Sequence, residues 1–258
     1  MLRFFIKFLA VVIFVYLGIC VGLYAAQRSL IYHPTPSLGA DSAASKLKLA
    51  VDGAELAISV SPQKGDSALI YFGGNMEDVS WSLPLFSKMF PGYAIYLPHY
   101  RGYSDSTGEP TEQALYNDAL ALFDKIYAQH AHVFVVGRSL GSGVAVHLAS
   151  QRPVARLVLV TPYDSIEKVA EGKFPLFPIN WLLLDKFESW QFAPKVTAPT
   201  LLVAAENDQV IPYANTELLY NSFSKNVATL KVIPSRNHDD IMENPAYLEW
   251  LKVQPDKP

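Results

Sequence analysis

The stretch VFVVGRSLGSGVAVHLA, residues 133–149, joins a strand pattern to a helix pattern through a short turn around Ser139. Val133 to Val136 are β-branched or aromatic and end at a glycine, which is typical of a strand covered on both faces. Small and apolar residues follow the turn as far as Ala149. We therefore predict a buried strand, a sharp turn and a helix in direct succession.

The turn is Gly137-Arg138-Ser139-Leu140-Gly141, with the pattern G-x-S-x-G. In such a nucleophile elbow the serine takes strained backbone angles and its hydroxyl stands clear of the chain. The two flanking glycines, Gly137 and Gly141, let the strand and the helix approach each other. The N–H of Leu140, at the start of the helix, is a candidate donor to the oxyanion of an acyl-transfer intermediate. A bare five-residue pattern also arises by chance, and the flanking strand and helix favour the functional interpretation.

The composition excludes several classes of protein. At 258 residues the chain is long enough for one sizeable α/β domain and an appendage. A net charge of −3 gives no basic footprint for a nucleic acid. The single cysteine allows no internal disulfide and no cysteine metal cluster. We expect no metal, no cofactor and no nucleic-acid partner.

Phe8 to Ala26 is an uninterrupted run of apolar and small residues, about 28 Å long as a helix and close to the thickness of the hydrocarbon core. A cleaved signal peptide is the main alternative. A cut after Ala26 would place bulky Tyr24 where a small residue is required, so we favour an uncleaved transmembrane anchor over residues 1–28.

The orientation follows from charges beside the span. Arg3 and Lys7 precede it, whereas Arg28 alone follows closely, so the positive-inside rule places the N-terminus in the cytoplasm and the domain outside it. Gly18 and Gly22 form G-x-x-x-G, which can bring two membrane helices together, although glycines are common in such helices. The oligomeric state stays open.

The rest of the chain divides by composition. Residues 29–46 contain prolines and a glycine and are predicted as a linker, followed by a domain over residues 47–258. Strand and helix patterns alternate, which predicts the α/β class: a mostly parallel central sheet with helices on both faces. One connection, residues 163–198, is too long for a plain link and is predicted as a small cap.

The apolar residues of this cap have three interpretations: they line an acyl pocket, touch the membrane or cover the core. Of these we favour core covering. The residues are Phe174, Leu176, Phe177, Trp181, Leu182 and Trp190.

A second oxyanion donor is predicted after the strand that ends at Phe72. Gly73 and Gly74 let the chain curl and turn its N–H groups inward, and the N–H of Asn75 is the candidate. A simple β-turn explains the two glycines nearly as well.

Two polar residues follow later strands of the predicted sheet. Asp208 comes after the strand at residues 200–204, and His238 after the strand at residues 230–233. Both therefore belong to loops at the carboxyl edge, where open α/β sheets place their ligands. A serine hydroxyl becomes a good nucleophile when an imidazole takes its proton and a carboxylate orients that imidazole. Ser139, His238 and Asp208 are the predicted nucleophile, base and acid.

Other residues compete for these roles. Asp164 also follows a strand and is the main rival acid, whereas Asp239 and Asp240 are too close to His238 in sequence to reach its ring easily. His130 and His132 have the spacing of a strand metal site but no evident carboxylate or cysteine partner, so we predict an exposed loop and strand entry there. His33, beside a proline, is predicted to be structural.

Five motifs in order resemble the α/β-hydrolase superfamily: FGGN (72–75), HYRGYS (99–104), GRSLG (137–141), ENDQVIP (206–212) and NHD (237–239). The chain is most similar to membrane-anchored serine hydrolases with a short cap, related to the dienelactone hydrolase and prolyl oligopeptidase groups. Two departures stand out: the family often has His-Gly in place of Gly73-Gly74, and Asp in place of His99. The first weakens the assignment of Asn75.

The resemblance implies the α/β-hydrolase fold and hydrolysis of carboxylic esters, thioesters or amides. Some eukaryotic relatives remove acyl groups from lipidated proteins. We expect a small-molecule or lipid-like acyl substrate or an acylated protein, and favour ester or thioester cleavage because the cap is apolar. A peptidase or amidase of the same fold, and a catalytically silent membrane-anchored binding or scaffold module, are the alternatives. A haloalkane dehalogenase is excluded, since it needs a carboxylate at position 139.

Overall fold

The computed structural model describes residues 1–36 and 45–252 of the chain. Its strands are β1 Ser45–Val51, β2 Ala54–Ser61, β3 Ser67–Phe72, β4 Ala94–Pro98, β5 His132–Arg138, β6 Arg156–Val160, β7 Thr200–Ala205 and β8 Ala228–Ile233. Its α-helices are α1 Leu2–Ile31, α2 Leu83–Met89, α3 Glu112–Tyr127, α4 Leu140–Gln151, α5 Ile166–Lys173, α6 Ile179–Leu182, α7 Ser189–Phe192, α8 Tyr213–Ser222 and α9 Pro245–Lys252. Short 3-10 helices lie at Val79–Ser82, Ala193–Lys195 and Ile241–Glu243.

The strands form one eight-stranded sheet in the order β1-β2-β4-β3-β5-β6-β7-β8. All neighbours from β4 to β8 pair in parallel, and β2 pairs antiparallel with both β1 and β4. The predicted mostly parallel α/β sheet is confirmed. The carboxyl ends of β5, β7 and β8 consequently meet at one edge.

Helices cover both faces of this sheet because the central strands bury side chains on both sides. In β3, Ala68 and Ile70 belong to a core with α3, α4 and α8, while Leu69 and Tyr71 belong to a core with α2 and α9. Thr111 caps α3, since its Oγ1 accepts a hydrogen bond from the N–H of Ala114 at 3.2 Å.

Helix α1 is longer than the predicted span. It continues past Arg28 to Ile31, and β1 begins at Ser45, so the structure differs from the predicted linker at both ends. The linker's residues 37–44 lie outside the described residues. Over its most apolar window α1 has a mean hydropathy of 2.7, so it is apolar enough to cross a membrane.

The end of α1 is docked onto the domain by polar contacts. Gln27 is 6% exposed; its Nε2 donates to the carbonyl of Leu182 at 3.1 Å, and its Oε1 accepts from the N–H of Leu184 at 2.6 Å. Arg28 pairs with buried Asp185 at 3.2 Å, and the hydroxyl of Tyr32 donates to the same carboxylate at 3.2 Å. The last turn of α1 is therefore part of the folded domain.

The predicted cap contains α5, α6 and α7. These helices are short, with eight, four and four residues. The prediction that the cap's apolar side chains mainly cover the core was wrong, because all six are half-buried or exposed. Leu176 and Trp181 are 80% and 83% exposed, since they lie at the tip of the cap.

Burial of His147 on α4 makes stability depend on pH. Its ring stacks on Tyr116 with centroids 3.9 Å apart and meets the ring of Phe192, and its Nδ1 has no partner among the described residues. Burial, assisted by the charge of Lys195, lowers the pKa of His147 to about 4 from the ordinary 6.5. The unfolded chain therefore takes up the proton first as the pH falls.

We predict that the free energy of unfolding falls as the pH drops from about 6.5 to about 4. The His147→Phe variant keeps the ring contacts but has no imidazole to protonate, so its free energy of unfolding should fall less over the same range. Thermal unfolding of both proteins at about pH 7.5 and about pH 5 measures this difference. Equal losses of melting temperature in the two proteins would contradict it.

Candidate active site

Ser139 lies between β5 and α4, with φ 49° and ψ −119°. A positive φ is strained for a residue with a side chain, and the neighbouring contacts hold it in place. The N–H of Ser139 donates to the carbonyl of Val160 at 2.9 Å, and its carbonyl accepts from the N–H and the hydroxyl of Ser142 at 2.9 Å and 2.6 Å. Both backbone groups are thereby fixed, and the Ser139 hydroxyl points towards the sheet edge.

Glycines are required on both sides of this serine. A Cβ on Gly141 would collide with the carbonyl oxygen of Phe72, and one on Gly137 would lie 2.5 Å from the carbonyl oxygen of Gly141 and 2.7 Å from the Cβ of Ala145. The strand and the helix therefore pass each other at backbone contact distance, as the sequence pattern predicted for an elbow.

The structure brings Ser139, His238 and Asp208 together. Nε2 of His238 is 2.9 Å from Oγ of Ser139, and Nδ1 of His238 is 2.7 Å from Oδ2 of Asp208. An ionised carboxylate only accepts, so Nδ1 carries the proton and Nε2 is free to accept from the serine hydroxyl. The side chains of His238 and Asp208 are 9% and 2% exposed. The three groups form one continuous, largely buried hydrogen-bonded chain.

The carboxylate of Asp208 is itself held by the backbone. Its Oδ1 accepts from the N–H groups of Val210 and Ile211 at 2.8 Å and 2.7 Å, which leaves Oδ2 for the imidazole. These bonds fix the direction of the carboxylate.

The rival acids have other partners. Oδ1 of Asp164 accepts from Nδ2 of Asn215 at 2.8 Å, and burial raises the pKa of Asp164. Asp239 meets Arg138 at 3.4 Å, and Asp240 accepts from the N–H of Asn237 at 2.7 Å. Among the described residues, the carboxylate hydrogen-bonded to the ring of His238 is that of Asp208.

His130 and His132, the pair with the spacing of a strand metal site, are not part of this hydrogen-bonded chain. The prediction that His130 is exposed was wrong. Its ring is buried, and both ring nitrogens have partners there: Nδ1 bonds to the carbonyl of Gly65 at 2.7 Å and Nε2 to the hydroxyl of Tyr96 at 3.2 Å. His132 is exposed at the start of β5. Within residues 1–36 and 45–252, no group of three or more His, Cys, Asp or Glu side chains is arranged to hold a metal ion.

One candidate oxyanion donor follows Ser139 directly, and the other is one residue beyond a glycine that passes beside the serine. Leu140 is the first residue of α4, and the first N–H groups of a helix have no intrahelical partner. The turn after β3 passes the serine so closely that a Cβ on Gly74 would lie 3.8 Å from the Cβ of Ser139. Asn75 follows this turn; its carbonyl accepts from the hydroxyl of Tyr103 at 2.8 Å, and its Nδ2 donates to the carbonyl of Ile31 at 2.9 Å.

An ion pair that no sequence pattern predicted supports the site. Oε2 of Glu77 accepts from the N–H of Gly74 at 3.0 Å and from Nη1 of Arg138 at 3.2 Å, and Nη2 of Arg138 donates to the carbonyl of His238 at 3.3 Å. The pair thus joins the Gly74 turn to the histidine loop. The only signal in the sequence is that both charged residues stand beside predicted site motifs.

Comparisons with known proteins agree with this geometry. A family profile described as the alpha/beta hydrolase family matches residues 72–193. An uncharacterized protein of Mycobacterium tuberculosis is 33% identical over 247 residues, covering 90% of this chain and 87% of that protein. The chain belongs to the α/β-hydrolase superfamily.

Two other members have names that describe an activity. The lysophosphatidylserine lipase ABHD12 of Rattus norvegicus is 33% identical over 150 residues, but the match covers 50% of this chain and only 38% of that protein. An esterase structure from Pyrococcus furiosus superposes with a TM-score of 0.67 over 86% of this chain and 96% of its own, at 15% identity. The second likeness establishes the α/β-hydrolase fold, and the first relates this hydrolase to a lipase.

We predict that Gly141→Ala destabilises the protein by about 3 kcal/mol or more, because the backbone carbonyl of Phe72 cannot yield to a new Cβ. Gly172→Ala is the matched control, since a Cβ there meets nothing within 4 Å and alanine stabilises a helix by up to about 1 kcal/mol. Urea unfolding measures both changes, and an unaltered midpoint for Gly141→Ala would disprove the close approach.

Proposed function

We propose that this hydrolase is a membrane-anchored serine hydrolase that cleaves carboxylic ester or thioester bonds through an acyl-enzyme. The observation that carries the proposal is the hydrogen-bonded chain from Oγ of Ser139 through His238 to Asp208, with links of 2.9 Å and 2.7 Å. Such distances are within reach for proton transfer between a nucleophile and its base.

In the first half-reaction Oγ of Ser139 attacks the acyl carbonyl carbon while its proton passes to Nε2 of His238. The N–H groups of Leu140 and Asn75 stabilise the oxyanion of the tetrahedral intermediate. Its collapse breaks the bond to the alcohol or thiol, which takes the proton back from His238 and leaves. Asp208 stays ionised and stabilises the imidazolium.

In the second half-reaction water replaces the leaving group. His238 removes a proton from the water, whose oxygen attacks the acyl-enzyme carbonyl, and the same donors hold the new oxyanion. The intermediate collapses, Ser139 regains its proton from His238, and a carboxylic acid is released. This chemistry requires neither a metal nor a cofactor.

Contacts of α1 support a retained anchor rather than a cleaved signal peptide. A cut after Ala26 would remove Tyr16, whose hydroxyl donates to the carbonyl of Leu176 at 3.0 Å and whose ring stacks on Phe177, so a residue within the span itself contacts the cap. The rest of the helix presents apolar side chains outward, as a lipid-facing segment does. The excess of positive charge before the span supports a cytoplasmic N-terminus with the catalytic domain outside.

We predict that a fluorescent fluorophosphonate labels the wild-type protein and fails to label Ser139→Ala. Asp208→Asn should label about 10³ to 10⁴ times more slowly, because the imidazole loses the partner that fixes its tautomer. Asp164→Asn is the matched control, because Asp164 also follows a strand of the sheet but is hydrogen-bonded to Asn215 and not to His238. Labelling rates on folded, purified proteins check these expectations.

Each outcome has a definite meaning. Labelling that survives in Ser139→Ala would assign the nucleophile elsewhere, and equal slowing in both aspartate variants would remove Asp208 from its role. A folded wild-type protein that does not label near neutral pH would contradict the enzyme proposal and favour the silent binding module.

We predict that the full chain stays in the membrane fraction after an alkaline carbonate wash, since α1 is long and apolar enough to span the bilayer. In a bacterial host, alkaline phosphatase fused to the C-terminus should be active and a green fluorescent protein fused there should be dark. The reverse pattern would invert the orientation. An N-terminus found by mass spectrometry at residue 27 would identify α1 as a signal peptide.

A further inference from the structure

A cavity of about 180 Å³ lies between the end of α1 and the cap, and we call it the anchor–cap pocket. Leu23, Gln27 and Ile31 of α1 form one wall, and Val169, Ala170 and Leu183 belong to the opposite wall. All its lining side chains except Gln27 and Lys173 are apolar. The amide of Gln27 is already engaged with Leu182 and Leu184, so the interior offers an apolar surface.

The tip of the cap lies beside the apolar part of α1. The hydroxyl of Tyr16 donates to the carbonyl of Leu176 at 3.0 Å, and its ring stacks on Phe177 with centroids 5.6 Å apart. Tyr16 precedes Ala26, the end of the predicted span, by ten residues, which is about 15 Å along the helix. A bilayer around α1 therefore also surrounds the exposed side chains of Leu176 and Trp181.

A wall of the pocket is hydrogen-bonded to the turn after β3, which passes beside Ser139. Ile31, a wall residue, accepts at its carbonyl from Nδ2 of Asn75. Asn75 follows Gly74, whose position is beside Ser139. The inner wall of the pocket is thus fixed to the turn that supplies the second oxyanion donor.

We propose that the anchor–cap pocket binds the acyl chain of a membrane lipid ester, which enters sideways from the bilayer and presents its carbonyl to Ser139. This inference rests on the proposed function. One wall is the anchor itself, so the pocket opens where lipid chains are the abundant apolar molecules. A second copy of α1 does not fit, because a helix with its side chains is about 10 to 12 Å across.

Ala170→Phe tests the proposal by filling the pocket from α5. Gly172→Phe is the matched control, since a Cβ at Gly172 meets nothing within 4 Å and its backbone angles accept any residue. The full chain in phosphatidylcholine vesicles is given butyryl and palmitoyl esters of one alcohol. We expect Ala170→Phe to lower kcat/KM for the palmitoyl ester at least about tenfold and to leave the butyryl ester unchanged. Gly172→Phe should change neither.

Loss of both activities in Ala170→Phe, or of neither, would overturn the pocket while leaving the esterase proposal intact. A second measurement needs no turnover: a palmitoyl ester with a diazirine at the end of its chain is crosslinked to Ser139→Ala in the same vesicles. Crosslinks should fall on residues 166–174 and be lost when Ala170→Phe is added. Crosslinks elsewhere, or unaffected by Ala170→Phe, would overturn the proposal even if the wild type hydrolyses no ester.

Discussion

The structure of the site depends on the backbone contact between the start of α4 and the end of β3. Gly141 lies against the carbonyl of Phe72, and a helix this close to the sheet requires the chain to reverse within one residue, Ser139. A strained serine costs on the order of 1–3 kcal/mol and persists only where its surroundings fix it. Here the nearly fully buried helix that follows provides that support, because most of α4 packs into the core. The same contact aims the α4 N-terminus at the sheet edge and places Gly74 beside the serine.

The parallel sheet then determines which side chains meet. Asp208 and His238 lie 69 and 99 residues beyond Ser139, yet each follows a strand whose carboxyl end lies at the same edge. Polar contacts hold the loops there: backbone N–H groups orient Asp208, and the ion pair of Arg138 with Glu77 joins the turn after β3 to the loop of His238. The additional hydrogen bonds of this ion pair offset the desolvation cost of burying its charges. The pair therefore serves to position the two loops.

The strands, their mostly parallel orientation and the glycines of the elbow could be predicted from sequence. The strands depend on local apolar patterns, the parallel orientation on the alternation of strands and helices, and the glycines on steric demands within a few residues. Chain order and strand ends left Asp164 as a rival to Asp208, because both acids follow a strand and precede His238; the hydrogen bond to the imidazole distinguishes them. The Glu77–Arg138 pair could not be predicted, since it joins residues 61 positions apart that share no pattern. Burial of His130 depends on Gly65 and Tyr96 in the same way. The prediction for the cap was wrong for a further reason: apolarity predicts burial within the protein, whereas Leu176 and Trp181 are exposed at the tip of the cap.

Helix α1 is therefore better regarded as a structural part of the hydrolase than as a tether. Asp185 is buried and accepts from Arg28, Tyr32 and the N–H of Glu112. A chain cut after Arg28 therefore loses one of the three partners of this buried carboxylate, which is destabilising. The contact of Asn75 with Ile31 extends this dependence to the turn after β3. Because α1 contacts both the buried carboxylate of Asp185 and the turn after β3, the docking of this helix and the geometry around Ser139 depend on the same few contacts.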